Sequence, residues 1–98
     1  MVDDAHIIIG DNVMIAPNCT LSTAGHPIDV ETRISGAQFS KDITIEDIVW
    51  IGAGVIIHPG VTIGSGGVIG SGSVVTKDIP AMSIAYGTPA TVRGPVRP

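Results

Sequence analysis

Aliphatic side chains recur at every sixth position of this chain, in two blocks that share one phase. The first block is Ile9, Ile15 and Leu21; the second is Ile45, Ile51, Ile57, Ile63, Ile69 and Val75. A period of six matches neither the helical period of 3.6 nor the strand period of two. The pattern predicts that each hexad forms a short strand and a corner, and always turns the same side chain inward. That arrangement is a solenoid.

A second register of mostly small or β-branched residues lies two positions before each of these aliphatics, as at Ile43, Val49 and Val55. Gly often follows the aliphatic, as at Gly52 and Gly64, and supplies the backbone freedom that a corner needs. Three hexads close a triangular coil, and stacked coils pair in parallel about 4.8 Å apart. We therefore predict about three coils, at residues 7–24, 43–60 and 61–78.

Two segments lack the aliphatic register. We predict a loop excursion at about residues 25–42 and a C-terminal capping tail at about residues 79–98, within one domain that spans residues 1–98. A short solenoid has a narrow core and open ends, so self-association is expected.

Composition excludes several classes of protein. The net charge of −4 and the absence of a basic aromatic cluster argue against binding to nucleic acid. Residues 48–76 carry no charged side chain, but eight glycines in this stretch argue against a helix across a membrane. No secretion signal is evident at Met1, and the single Cys19 forms no internal disulfide. We expect a cytoplasmic protein without a membrane or nucleic-acid partner.

The chain resembles the hexapeptide-repeat acyltransferases, and most of all the galactoside and maltose O-acetyltransferases and the nodulation acetyltransferases. Three stretches over about residues 2–92 carry this resemblance: IGDNVMIAPNCTLSTAGHPID, ITIEDIVWIGAGVIIHPGVTIG and VIGSGSVVTKDIPAMSIAYGTPA. It implies an all-β fold, the left-handed parallel β-helix, although crossovers are usually right-handed. It also implies a homotrimer that binds acetyl-CoA in clefts between neighbouring subunits.

The resemblance places His26, within the motif Gly25-His26-Pro27, on the catalytic histidine of the family. Imidazole is the common side chain that takes up a proton near neutral pH, so it suits a general base on the acceptor hydroxyl. The implied reaction is direct transfer of the acetyl group, without an acyl-enzyme. A backbone N–H in the turn around Ala53 is the implied donor to the oxyanion.

The implied contacts to acetyl-CoA are small or polar corner residues and two cations: Ala53, Ser71, Thr76, Lys77 and Arg93. Lys77 would supply a point charge for phosphate. The family's C-terminal arginine positions read Thr91 and Gly94 here, and Arg93 and Arg97 are the cations nearby. No metal is expected.

The acceptor side is less complete. Asp4 matches a family residue that contacts the sugar, whereas a long N-terminal segment of the family has no counterpart before Met1. An open first coil would present unpaired backbone groups. We expect the trimer to cover this edge, either by stacking two trimers into a hexamer or by exchanging N-terminal strands.

Two alternatives stay open. The first is a trimeric β-helix scaffold that is catalytically weak or silent. The second is a zinc protein like the γ-type carbonic anhydrases, which share the solenoid and bind zinc through three histidines; this chain has His6, His26 and His58.

Overall fold

The structure is a computed structural model that describes residues 5–97. Its first elements are β1 (Ile7–Ile9), β2 (Met14–Ile15), β3 (Thr20–Leu21), β4 (Ala24–Gly25), α1 (Val30–Ile34) and β5 (Phe39–Ser40). The following elements are β6 (Ile43–Ile45), β7 (Trp50–Ile51), β8 (Ile56–Ile57), β9 (Thr62–Ile63), β10 (Val68–Ile69), β11 (Val74–Val75), β12 (Ser83–Gly87) and β13 (Ala90–Pro95). No helix in this part of the chain is long and apolar enough to cross a membrane.

The strands stack into the three sides of a triangular solenoid. The first side holds β1, β6 and β9; the second holds β2, β7, β10 and β12; the third holds β3, β8 and β11, and all of these pairs are parallel. Ile7 pairs with Ile43, although 36 residues separate them. The first coil therefore packs directly on the second, and the residues between Gly25 and Ile43 leave the stacked sides as one long loop.

The solenoid continues beyond the last predicted coil. Ile79 bridges to Ile63, and Ile84 pairs with Val68. Paired residues in the earlier coils lie eighteen positions apart, as Val68 and Trp50 do, so the final coil is two residues shorter. The hexad register breaks at this point, and the sequence pattern therefore ended at Val75. Only after Gly87 does β13 fold back on β12 as an antiparallel strand.

The aliphatic register forms the core. The six interior residues Ile45, Ile51, Ile57, Ile63, Ile69 and Val75 are at most 1% exposed. Ile9 and Ile15 occupy the same columns but are 48% and 39% exposed. In the part of the chain that the structure describes, only the following coil packs against the first one. The predicted stacking of two trimers through this face stays a prediction.

The loop contains regular structure that the sequence pattern did not show. Its two ends, β4 and β5, pair in antiparallel fashion. Between them, Asp29 caps α1 and accepts hydrogen bonds from the backbone N and the hydroxyl of Thr32, at 2.9 and 2.7 Å. These two hydrogen bonds lower the pKa of Asp29. The helix buries none of its residues, so it has no apolar periodicity by which to recognise it.

Candidate active site

His26 lies in the loop immediately after β4, at the corner that follows the third side. The pairing of Gly25 with Phe39 holds this part of the loop, and the Phe39 ring packs directly over Gly25. A side chain at residue 25 would collide with that ring, so glycine is required next to the histidine. The imidazole itself is exposed.

One hydrogen bond orients the imidazole. Nδ1 of His26 lies 3.2 Å from the carbonyl oxygen of Ala37, on the other branch of the loop. A carbonyl oxygen only accepts hydrogen bonds, so in the neutral imidazole this contact favours the tautomer in which Nδ1 carries the proton. Nε2 then has a free lone pair that can accept a proton from a substrate.

His26 lines a cleft of about 470 Å³ between the loop and the third side. Its walls are mainly apolar and include Ile28, Phe39, Ile56 and Pro59; the polar side chains that line it are Ser22, His26 and His58. An apolar cleft with a few convergent polar groups is typical of a small-molecule site. No role in transfer is predicted for His58 from the sequence. His58 directly follows the third side, at the same corner as the loop, and so it reaches the cleft.

Thr76 and Lys77 lie at this corner as well, in the next coil. Val75 pairs with Ile57, so Thr76 and Lys77 follow the third side in the last coil as His58 and Pro59 follow it in the coil before. Both side chains are exposed. The structure therefore places Thr76 and Lys77 at the corner that His58 and Pro59, which line the cleft of His26, occupy one coil earlier.

Ala53 and Ser71 lie at a different corner, between the second and third sides. They are stacked on each other, and the N–H of Ala53 donates a hydrogen bond to Oγ of Ser71 at 3.1 Å. The predicted oxyanion donor is thus occupied by a neighbouring hydroxyl. Within one chain, the width of the third side separates this corner from that of His26.

A shallow groove of about 210 Å³ runs from Ser71 across the second side. It is lined by Trp50, Val68 and neighbouring glycines, and Trp50 points outward with 53% of its surface exposed. Small residues such as Gly52 and Gly70 keep the groove open along the coil face.

Arg93, the last predicted contact to acetyl-CoA, does not join these groups. Nε and Nη2 of Arg93 both donate to the carbonyl oxygen of Tyr86 at 3.2 Å, and the guanidinium lies 4.7 Å from the centre of the Tyr86 ring. Arg93 therefore fastens the β12–β13 hairpin. Asp4 lies outside the described residues. Among residues 5–97, no three His, Cys, Asp or Glu side chains are grouped to hold a metal ion.

Comparison with known proteins agrees with this architecture. A family model described as bacterial transferase hexapeptide (six repeats) matches residues 42–77. The structure of a hexapeptide-repeat-containing acetyltransferase from Vibrio cholerae superposes with a TM-score of 0.87 at 32% identity, over 96% of this chain and 68% of that one. The chain belongs to the hexapeptide-repeat acetyltransferases. Its fold is therefore the left-handed parallel β-helix of that family.

Within the family, the similarity is high to enzymes that acetylate galactosides. The galactoside O-acetyltransferase of Lactococcus lactis is 53% identical over 95% of this chain, which corresponds to 45% of its own length. A galactoside acetyltransferase solved in complex with coenzyme A superposes with a TM-score of 0.90 at 54% identity, over 93% of this chain and 46% of that one. The chain spans about half the length of the curated relatives it matches.

Proposed function

We propose that this chain catalyses the acetyl-CoA-dependent O-acetylation of a sugar-like hydroxyl, with His26 as the general base. The observation that carries the proposal is the 3.2 Å contact between Nδ1 of His26, which lines the cleft, and the carbonyl oxygen of Ala37, because in the neutral imidazole this contact leaves Nε2 as the proton acceptor. The complex of a similar galactoside acetyltransferase with coenzyme A supports the choice of cosubstrate.

The reaction needs no acyl-enzyme. Nε2 of His26 takes the proton of the acceptor hydroxyl while the oxygen of that hydroxyl attacks the carbonyl carbon of the thioester. The thioester carbonyl oxygen first displaces Oγ of Ser71 from the N–H of Ala53. This N–H then donates a hydrogen bond to the oxyanion and stabilises it. The carbon–sulfur bond then breaks, and the imidazolium returns its proton to the thiolate of coenzyme A.

This mechanism requires more than one copy of the chain. His26 and Ala53 lie at different corners of the coil, so one protomer does not bring the base to its own Ala53 N–H. In a homotrimer, the His26 corner of one protomer would face the Ala53 corner of its neighbour across a shared cleft. Lys77 would reach the cosubstrate phosphates from the His26 side. A cytoplasmic location belongs to the same proposal.

The cleft also indicates the kind of acceptor. His58 and Ser22 can hydrogen-bond hydroxyl groups, while Ile28, Phe39 and Ile56 offer an apolar wall. A sugar ring has both polar edges and apolar faces, and the mixed lining suits such a ring.

The test is the release of coenzyme A from acetyl-CoA across a panel of sugars. His26→Ala should lower kcat by about 10²- to 10⁴-fold, because it removes general base catalysis. Its affinity for acetyl-CoA, measured by calorimetry, should stay close to that of the unmodified protein. His6→Ala is the matched control, since this exposed histidine does not line the cleft.

Two results would contradict the proposal. Transfer within a few-fold of the unmodified rate in His26→Ala would remove the histidine from the mechanism. Binding of acetyl-CoA without turnover on any sugar of the panel would favour the catalytically silent scaffold.

A further inference from the structure

A lysine borders the cleft of His26. Lys41 directly follows β5, and alternate residues of a strand point to the same face, so Lys41 shares a face with Phe39, which lines the cleft. Nζ of Lys41 is 5.7 Å from the centre of the Phe39 ring, a distance at which a cation interacts with an aromatic face. This interaction holds the ammonium group next to the cleft.

A second contact places the stem of Lys41 at the corner where the cleft meets the coil. Cδ of Lys41 lies 3.1 Å from the position that a Cβ on Gly60 would take. Gly60 directly follows His58 and Pro59, which both line the cleft. The stem of Lys41 therefore packs on the backbone of this corner while its charge stays exposed. Lys41 and His58 thus lie at the same end of the cleft.

The carboxylates next to this corner point to backbone donors. Oδ1 of Asp42 accepts a hydrogen bond from the backbone N–H of His6 at 2.8 Å, and Oδ1 of Asp78 accepts one from the backbone N–H of Thr62 at 2.8 Å. Among the described residues that line the cleft, none is acidic, although the whole chain has a net charge of −4. The local charge at the cleft is therefore opposite in sign to that of the chain.

We propose that the acceptor sugar carries an anionic substituent, which Lys41 and His58 bind at the corner end of the cleft. This inference rests on the proposed function and narrows its class of substrate. Lys41 supplies the positive charge, and a ring N–H of His58 donates a hydrogen bond to the same oxygen atoms. A sugar carboxylate and a sugar phosphate share this chemistry.

The anion would also orient the acceptor toward the base. His26 reaches the cleft from the loop, whereas His58 reaches it from the coil. A sugar ring that lies between them, with its charged substituent on Lys41 and His58, presents a hydroxyl on another carbon to Nε2 of His26. Ile56 offers an apolar surface for the face of the ring. The contact with the anion thus selects which hydroxyl is acetylated.

The test measures the release of coenzyme A from acetyl-CoA with two matched pairs of sugars, galactose with galacturonate and glucose with glucose 6-phosphate. In the unmodified chain, the charged sugar of at least one pair should have a kcat/KM about tenfold higher than its neutral partner, through a lower KM. High salt should reduce this preference. The pair that shows the preference identifies the substituent as a carboxylate or a phosphate.

Variants separate binding of the anion from a structural role in the loop. Lys41→Gln should lower kcat/KM for the charged sugar about five- to tenfold and leave that for the neutral sugar within about twofold. Lys41→Arg keeps the charge and should keep the preference, and His58→Ala should reduce it about threefold. Arg33→Gln is the matched control, because Arg33 lies on α1 and Nη1 donates to the carbonyl oxygen of Ile28 at 3.3 Å. It should leave both values unchanged.

Four results would overturn parts of this account, and they can be told apart. Equal kcat/KM values within both pairs in the unmodified chain would overturn the anionic acceptor and leave the proposed function intact. A preference that survives Lys41→Gln, or an equal loss on neutral and charged sugars, would remove Lys41 as the group that binds the anion. Weaker binding of acetyl-CoA by Lys41→Gln in calorimetry would assign the lysine to the cosubstrate instead. Absence of coenzyme A release with every sugar, neutral or charged, would overturn the proposed function itself.

Discussion

Replacing Ile51 by Ala measures how much the interior column contributes to stability. Ile51 is 0% exposed and lies between Ile15 and Ile69 in the middle of the stack. The change removes three carbon atoms, which corresponds to about 2.4 kcal/mol of lost burial at about 0.8 kcal/mol per methylene group. The cavity left between two rigid coils adds to this loss. We expect the free energy of unfolding to fall by about 3.5 kcal/mol.

Ile15→Ala is the matched control, because it removes the same atoms one coil away in the same column. Ile15 is 39% exposed, so the lost burial shrinks to about 1.5 kcal/mol, and solvent fills the space without a closed cavity. Both variants are unfolded in urea at one protomer concentration, since self-association makes stability depend on concentration. Equal losses would refute the exposed first coil and show that another surface covers it in solution. A loss below about 1 kcal/mol for Ile51→Ala would refute the close packing of the column.

Three further predictions concern the site and the loop. Ser71→Ala should keep kcat within about threefold, because the Ala53 N–H then faces the thioester directly; a loss of about 100-fold in the coenzyme A release assay would make the hydroxyl the oxyanion donor. Lys77→Ala should weaken the binding of acetyl-CoA about fivefold at low salt and less at high salt, and equal affinities in calorimetry at low salt would exclude the phosphate contact. The hydrogen bonds from Thr32 lower the pKa of Asp29 below its ordinary value of 3.8, so the helix cap that Asp29 forms should persist at pH values above 3.8 and be lost as the pH falls through the lower pKa of the folded protein. The amide resonance of Thr32 should report this loss, and Asp29→Asn should abolish the transition.

The sequence by itself determined the solenoid. A six-residue period has one simple structural solution, and the aliphatic residues that it marks from Ile45 to Val75 are all at most 1% exposed. The excursion at residues 25–42 was also readable, because the phase of the aliphatic register is the same on both sides of it. The motif around His26 pointed to the base through a resemblance, and no periodicity would have found it.

The sequence pattern could not show what depends on a change of register or on exposed residues. The final turn is two residues short, so Ile79 and Ala85, which continue the phase of the second register, take the places in the core that the aliphatic register assigns to residues 81 and 87. The loop helix buries nothing, and a segment without buried residues has no apolar pattern.

Only the tertiary structure decided which candidate residues share a corner. Residues eighteen or more positions apart become neighbours through stacking, so Lys77 follows the third side at the same corner as His58, whereas Ala53 lies across the third side. The antiparallel pairing within the loop brings a carbonyl eleven residues away to Nδ1 of His26, and the β12–β13 hairpin engages Arg93 with Tyr86. These contacts depend on where the fold places each side chain and on which donor lies within hydrogen-bond distance of which acceptor. Spacing along the chain encodes neither of these.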